Sequence, residues 1–187
     1  MLEVKPYKPK YKEDLQIVCL NTAYSTAYEP IERNYLLNTY CDYYLDMEGE
    51  HCFAAVDEND TAQGYILCAP NFIQYLKKCR PYVKQAKKSG FDHWIEGFGE
   101  RVCYTVLGLR YPAHMHIDLN PGFQRQGAGT RMVNTLLEHL RSMGVKRVML
   151  IAGSGNEQGL NFYRKFGFKR VITLGPATVM GYDLRKG

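Results

Sequence analysis

Hydrophobic and polar positions repeat with a helical period over one long segment of the chain. Between residues 127 and 143 the apolar side chains recur every three or four positions, at Met132, Val133, Leu136, Leu137, Leu140 and Met143. This spacing predicts an amphipathic helix with one face against a core. Gly144 is placed to end the helix, because glycine readily adopts the left-handed conformation found after many helices.

Shorter apolar runs bounded by turn residues predict strands before and after this helix. They are LEVKP, HCFAAVD, AQGYILCAP, RYPAHMHIDLN, KRVMLIAG, FKRVITL and TVMGYDL. Further helices are predicted at 11–24, 35–45 and 156–166, and the segment 71–108 looks helical in pieces. The strand–helix alternation in the second half predicts a mixed α/β fold, and no linker interrupts a single domain over residues 1–187.

Composition is that of a globular protein, with 45% hydrophobic and 23% charged residues. The net charge of +5 suits an acidic ligand but falls short of a nucleic-acid-binding signature. The six cysteines include no CxxC pair and no regular spacing, which argues against a zinc site or a disulfide framework. The charged N-terminus and the lack of a membrane-length apolar run predict a cytoplasmic protein without a membrane partner.

The loop NPGFQRQGAGTRM, directly before the long helix, carries two arginines and three glycines, of which Gly127 and Gly129 lie next to the predicted helix start. It lacks the Lys-Ser/Thr of a phosphate-binding P-loop and the third glycine of a dinucleotide fingerprint. It does match [Q/R]-x-x-G-x-[G/A] over residues 124–129. Backbone amides at a helix start can hold a pyrophosphate, and glycine lets the phosphates approach the backbone. An ordinary strand-to-helix turn is the alternative.

Two motifs about 30 residues apart resemble the GNAT superfamily of N-acetyltransferases. The first is IDLNPGFQRQGAGTRMVNTLLEHLRSMGV, and the second is N-x₆-Y-x-K-x-G-F, met by Asn156, Tyr163, Lys165, Gly167 and Phe168. More narrowly, YPAHMHIDLNPGFQRQGAGTRM after a basic insertion resembles bacterial acetyltransferases related to the acetyltransferase-like domain of O-GlcNAcases. The resemblance implies a twisted mixed sheet of about seven strands flanked by helices and splayed between strands four and five, with a helical insertion at about 71–108.

The same resemblance implies that acetyl-CoA is the co-substrate, without a metal. Its pantetheine arm would pair with the fourth strand near Ile117 and Leu119, and Asn156 would reach this arm. Its pyrophosphate would lie on the loop residues Gln124, Arg125, Gln126, Gly127, Ala128, Gly129 and Thr130, with Arg125 or Arg131 adding charge. Tyr163 resembles the general acid of the family, although packing on an apolar helix face would also explain a tyrosine there.

His114, His116 and Asp118 alternate along one predicted strand and therefore share a face. An amine acceptor must lose a proton before it attacks, so His116 and Asp118 are candidates for that proton transfer. An H-x-H pair occurs in this strand of the arylalkylamine N-acetyltransferases, but here it lies one residue out of register with Gly127. A zinc site and a purely structural pair are the alternatives.

The resemblance predicts direct transfer of acetyl to an amine of a small molecule or peptide by a monomer or homodimer. A non-catalytic module that binds an acyl-CoA, peptide or glycan is the alternative. The lysine-rich stretch 77–88 is either a solvated helix face or an acceptor-site wall that favours an acidic acceptor. The acceptor site could also be bordered by Trp94, Glu96, Tyr35, Tyr40, Tyr43 and Tyr44.

Overall fold

The computed structural model describes residues 1–90, 102 and 105–186, which build a seven-stranded mixed sheet. The strands are β1 (Glu3–Pro6), β2 (Phe53–Val56), β3 (Ala62–Ala69), β4 (Ala113–Leu119), β5 (Arg147–Gly153), β6 (Lys169–Leu174) and β7 (Ala177–Asp183). Their order across the sheet is β1-β2-β3-β4-β5-β7-β6. The mixed α/β prediction is confirmed.

Helices cover both faces of the sheet. They are α1 (Lys12–Thr22), α2 (Pro30–Tyr40), α3 (Asp42–Met47), α4 (Phe72–Lys78), α5 (Arg80–Ala86), α6 (Ala128–Ser142) and α7 (Glu157–Lys165). The buried side chains of α1, α2 and α3 form one apolar cluster with one face of the sheet. Those of α6 and α7 form a second cluster on the opposite face. The sheet therefore separates two hydrophobic cores.

The predicted helix at 35–45 is wrong in its bounds, because two helices occupy this region. Helix α2 begins earlier, at Pro30, whose fixed φ and missing N–H suit a first helical turn. It ends at Cys41, where φ −130° and ψ −67° break the helical path before α3 begins. Aromatic side chains fill both helices, so the pattern alone did not reveal the break.

Helix α6 follows the predicted stripe closely. Met132, Val133, Leu136, Leu137 and Leu140 are all buried against the sheet. Met143 departs from the prediction: it follows the last helical residue and is 43% exposed. Gly144 has φ +73° and ends the helix as predicted.

The insertion begins with two short helices, α4 and α5. The Asn71 side chain caps α4 by accepting hydrogen bonds from the amides of Ile73 and Gln74. Helix α5 leads to a short 3-10 turn, Lys87–Ser89, and Asn34 of α2 donates hydrogen bonds to Gln85 and Ser89 there. Trp94 and Glu96 lie outside the described residues. In the part of the chain that is described, no helix has the length and apolar character needed to cross a membrane.

The sheet opens between β4 and β5. These two strands are parallel and pair only at Ala113–Val148 and His114–Met149, although β4 continues to Leu119 and β5 to Gly153. Beyond the paired residues the strand edges are apart, and the backbone groups on the facing edge of β4 have no ladder partner in β5. This splay, which the resemblance implied, creates the cleft described next.

Candidate active site

A cavity of about 590 Å³ lies beside the end of β4 that does not pair with β5. The lining comes from β4, the loop before α6, and α7: Ile117, Asp118, Leu119, Gln124, Arg125, Gly127, Gly129, Thr130, Asn156, Gln158, Gly159, Phe162 and Tyr163. The structure thus brings together most of the site residues that were predicted from the sequence. We refer to this cavity as the donor cleft.

The loop before α6 is wound tightly by two left-handed residues. Arg125 has φ +61° and Gly127 has φ +80°, and Gly127 is the N-cap of α6. Gln124 donates to the Leu119 carbonyl at 2.9 Å, which holds the loop onto the end of β4. Consecutive amides and the positive end of a 15-residue helix therefore face the cleft, an arrangement that suits an anionic ligand.

Two of the nominated loop residues do not line the cleft. The Gln126 side chain donates to the Gly122 carbonyl at 2.9 Å, and Ala128 is buried under the first turn of α6. Only their backbone amides remain available to a ligand. The two arginines also differ: Arg125 lines the cleft and bonds Gln158 at 2.8 Å, whereas Arg131 bonds the Leu2 carbonyl at 2.9 Å.

Asn156 lies at the start of α7, on the far side of the cleft. Its side-chain oxygen accepts a hydrogen bond from the Gly159 amide at 2.9 Å and so caps α7. Because the oxygen is used in this cap, the NH₂ group of the side chain is what the residue presents to a ligand. This capping role was not evident from the motif.

Tyr163 lies on α7, where it lines the cleft and packs against the second hydrophobic cluster. Phe162 and Phe168 pack against its ring, with centroids 5.3 and 5.9 Å away. Burial and the nearby carboxylate of Asp118 raise the pKa of the Tyr163 hydroxyl well above its ordinary value of 10. The hydroxyl is therefore protonated at neutral pH and can donate a proton.

A second cavity, of about 250 Å³, lies on the opposite face of β4 beneath α1 and α2. It is lined by Cys19, Thr22, Ala23, Tyr24, Tyr35, Leu36, Tyr40, Tyr65, His116 and Asp118. Asp118 lines both this cavity and the donor cleft. We call the second cavity the acceptor cavity, and Asp118 marks the place where the two spaces adjoin.

Asp118 is held by its partner on the neighbouring strand. Tyr65 of β3 pairs directly opposite Asp118 and donates to its carboxylate at 2.6 Å. Burial raises the pKa of Asp118 from 3.8 to about 6, and hydrogen bonds from Tyr65 and Thr22 oppose part of that effect. The carboxylate is thus mostly ionised at pH 7 and is a stronger base than an exposed aspartate.

His114 and His116 share one tyrosine. The Tyr44 hydroxyl lies 3.0 Å from Nε2 of His114 and 2.9 Å from Nε2 of His116. Burial lowers the pKa of His116 to about 4 and also lowers that of His114. Both imidazoles are neutral at pH 7, and only His116 reaches the acceptor cavity.

The predicted shared face of His114, His116 and Asp118 is confirmed, since all three lie on the side of β4 that carries α1 to α3. The register of β4 with β3 is continuous, without a bulge. Although the three residues alternate like metal ligands, the described residues contain no group of three His, Cys, Asp or Glu side chains that could hold a metal ion.

The predicted acceptor-site aromatics fall into two groups. Tyr35 and Tyr40 line the acceptor cavity, whereas Tyr43 and Tyr44 are buried behind it. The described basic residues of the insertion, which lie between Lys77 and Lys88, do not line this cavity. Arg80, Lys84 and Lys87 instead surround a separate space of about 240 Å³ on α5.

Tyr65, Thr22 and Cys19 were not found from the sequence. They lie on β3 and α1, roughly 50 to 100 positions before Asp118, and no short motif marks them. The apolar run AQGYILCAP predicted a strand, but not that Tyr65 would lie opposite Asp118. Only the strand register supplies that contact.

Comparison with known proteins identifies the family that has this fold. The profile described as the acetyltransferase (GNAT) family matches residues 17–168. The chain therefore belongs to the acetyltransferase (GNAT) family.

Several solved structures are similar over nearly the whole chain. A protein named SsHAT is 26% identical, with a TM-score of 0.86 and 98% of each chain covered. The PaiA N-acetyltransferase of Thermoplasma acidophilum, solved with coenzyme A, is 15% identical, with a TM-score of 0.64 and coverage of 98% of this chain and 99% of that one. The polyamine N-acetyltransferase of Drosophila melanogaster is 14% identical, with a TM-score of 0.68 and coverage of 98% and 100%. The narrower resemblance to the relatives of O-GlcNAcases stays a prediction.

Proposed function

We propose that this protein is an N-acetyltransferase that transfers the acetyl group of acetyl-CoA directly to an amine. The observation that carries the proposal is the position of Asp118, which lines both the donor cleft and the acceptor cavity. A donor and an acceptor bound on the two sides of β4 would meet at this residue. The family membership and the CoA complex of a structural relative support the same reading.

The donor cleft suits coenzyme A in shape and charge. The amides of residues 124–130 and the Arg125 guanidinium would hold the pyrophosphate, as charge-assisted hydrogen bonds. The unpaired edge of β4 at Ile117 and Leu119 would hydrogen-bond the pantetheine amides, as an added strand would. The NH₂ group of Asn156 would contact the same arm from the opposite wall. When bound, acetyl-CoA supplies the acetyl group as an activated thioester.

Asp118 is the best-placed base for the incoming amine. Its raised pKa of about 6 lets it accept a proton from the attacking nitrogen while it is still ionised at neutral pH. The neutral His116 imidazole, on the same face of β4, can assist through a hydrogen bond, but its pKa of about 4 makes it the weaker base.

Tyr163 acts at the other end of the reaction. Nitrogen attack on the carbonyl carbon breaks the carbon–sulfur bond, and the hydroxyl of Tyr163 donates its proton to the departing sulfur. The Asp118 carboxylate ends with the amine proton and Tyr163 ends deprotonated, so one proton must pass to solvent and one must return.

The test has two stages. Acetyl-CoA and coenzyme A should each raise the melting temperature by the amount set by RT ln(1 + [L]/Kd), and thiol release should follow when amines are added. Tyr163→Phe should bind coenzyme A normally but turn over about 10²-fold more slowly, as expected when a general acid is lost. Tyr182→Phe, on β7 outside the cleft, is the matched control.

Each outcome has a definite meaning. If neither CoA form shifts the melting temperature, the proposal is wrong. If CoA binds but no amine releases thiol, the fold serves as the non-catalytic acyl-CoA-binding module instead. Full turnover by Tyr163→Phe would remove this residue as the general acid.

A further inference from the structure

The acceptor cavity has a lining that discriminates among amines. Four tyrosines and one histidine supply most of its wall, and Cys19, Ala23 and Leu36 add apolar surface. Two edge contacts join three of these rings: Tyr35 with Tyr40 at 6.1 Å between centroids, and Tyr40 with His116 at 5.7 Å. These contacts order the aromatic wall before any ligand arrives.

The size of the cavity limits the acceptor. Its volume of about 250 Å³ lies below the roughly 300–1,000 Å³ usual for sites that bury drug-sized ligands. A single ring with a short aminoalkyl arm is of a suitable size. Flat aromatic surfaces favour a flat body and can also attract an ammonium group through cation–π contacts.

The charges of the lining residues further limit which amines can be the acceptor. Among the described residues that line the cavity, Asp118 is the one acid, and there is no lysine or arginine. One ammonium group can therefore pair with Asp118, but a second would find no further carboxylate among the described lining residues. A carboxylate on the acceptor would find no cation among the same described residues and would instead approach Asp118, at a cost in desolvation and repulsion.

Other carboxylates near α2 and α3 accept hydrogen bonds from residues outside the cavity or at its rim. Asp42 accepts from Gln16 at 2.7 Å, and Asp46 accepts from Lys12 at 2.6 Å. The Glu48 carboxylate is buried and accepts from Tyr43 at 2.5 Å. At the rim, Tyr24 donates to Glu32. None of these four carboxylates lines the cavity.

We infer that the acceptor is a compact primary monoamine with a ring-sized apolar body and no carboxylate, its nitrogen at Asp118 and its body among Tyr24, Tyr35 and Tyr40. The inference rests on the proposed transferase function and specifies its substrate class. The inference predicts that such an amine is acetylated in preference to its parent amino acid, which differs from it only by one carboxylate. It also separates such an amine from polyamines and from acidic peptides.

The experiment compares kcat/KM for thiol release with tyramine, L-tyrosine, spermidine and a short lysine-containing peptide at saturating acetyl-CoA. Tyramine should exceed L-tyrosine by about 100-fold or more, because the described lining residues offer the carboxylate of L-tyrosine no cation. It should exceed spermidine and the peptide by about tenfold, since neither fills the aromatic wall.

Two variants test the lining itself. Ala23→Lys adds a cation at an exposed position on the cavity wall, and it should reduce the preference for tyramine over L-tyrosine by about tenfold. Tyr40→Leu should raise KM for tyramine while leaving coenzyme A binding unchanged. Tyr28→Phe, an exposed tyrosine outside the cavity lining, is the control.

The failure of the inference differs from the failure of the proposed function. Equal or better turnover of L-tyrosine, spermidine or the peptide would overturn the inference and leave an N-acetyltransferase of another specificity. If coenzyme A stabilises the protein but no amine of the panel is acetylated, both the inference and the transferase proposal fail. An unchanged preference in Ala23→Lys would show that charge in this cavity does not select the acceptor.

Discussion

Asp118 shows how position in the sheet determines the chemistry of one residue. On an exposed strand its carboxyl would have an ordinary pKa, but burial between the two cavities raises the pKa to about 6. Tyr65 limits this rise in pKa by donating a hydrogen bond to the carboxylate. The folded protein thus keeps a buried ionised acid, which costs free energy, at the point where a proton acceptor is needed.

Replacing Asp118 with Asn should separate stability from activity. Because the folded pKa lies above the unfolded value near 3.9, the carboxyl lowers the free energy of unfolding as pH rises from about 4 to 6. Above pH 6 the full cost is present, so Asp118→Asn should be about 1–3 kcal/mol more stable at pH 7.5. Its turnover should fall by about 10²-fold or more, since the amide cannot accept the proton.

Urea unfolding at pH 4 and 7.5 measures this effect. The stabilisation should largely vanish at pH 4, where the wild-type carboxyl is protonated in the folded state. Glu138→Gln, at an exposed site on α6, is the control for removing a negative charge. An Asp118→Asn protein less stable than wild type at pH 7.5 would show that the Tyr65 hydrogen bond outweighs the burial.

At the scale of elements, α6 and its loop act together. The apolar stripe of α6 anchors the helix on the sheet, so its first turn is rigid where the loop amides face the cleft. The stripe and its glycine terminator were predictable because helical period depends on local sequence. The bounds of α2 and α3 were not, because the break at Cys41 carries no glycine or proline signal.

Gly127→Ala and Gly144→Ala form a matched pair that tests the loop. Both glycines have positive φ, +80° and +73°, at opposite ends of α6. A new Cβ would approach only the Arg131 guanidinium at 3.4 Å in the first case and nothing within 4 Å in the second. Each variant should lose about 1 kcal/mol from backbone strain alone.

Only the loop variant should affect the donor. Shifted amides in Gly127→Ala should weaken coenzyme A binding by about tenfold, equivalent to about 1.4 kcal/mol, whereas Gly144→Ala should bind normally. Isothermal titration with coenzyme A measures both. Equal affinities in the two variants would mean that the loop does not hold the pyrophosphate.

At the scale of the whole molecule, the sheet divides the protein into two halves with different tasks. The donor cleft lies with the core of α6 and α7, and the acceptor cavity lies with the core of α1 to α3. Pairing of β4 with β5 at one end keeps the halves together, and loss of pairing at the other end opens the cleft.

The buried histidines make the acceptor half sensitive to acid. The folded pKa of His116 is about 4, below the unfolded value of about 6.5. Its contribution to stability is therefore complete above pH 6.5 and is lost as pH falls towards 4. The His116 contribution to the free energy of unfolding should therefore decline over this window, whereas the Asp118 contribution rises as pH falls from about 6 to 4.

A His116→Gln variant should flatten that decline. Removal of one titrating group reduces the slope by at most about 1.4 kcal/mol per pH unit. Denaturant unfolding from pH 7 to 4.5 measures the slope. The unfolding measurements are made in the Asp118→Asn background, because this removes the opposing contribution of the Asp118 carboxyl. The control is Glu138→Gln, at an exposed site, in the same background. An identical slope with and without His116 would contradict the assignment.

The sequence by itself determined the local parts: the amphipathic helices, the alternation that puts His114, His116 and Asp118 on one face of β4, and the glycine loop with its two motif partners. Hydrophobic periodicity and turn preferences depend on residues that are close in sequence, so these parts can be predicted without tertiary information. Tertiary structure alone decided the partners of these parts. It placed Tyr65 opposite Asp118, directed Arg131 to Leu2, and put Asp118 beside both cavities, because strand register and the splay of β4 from β5 depend on contacts between distant segments.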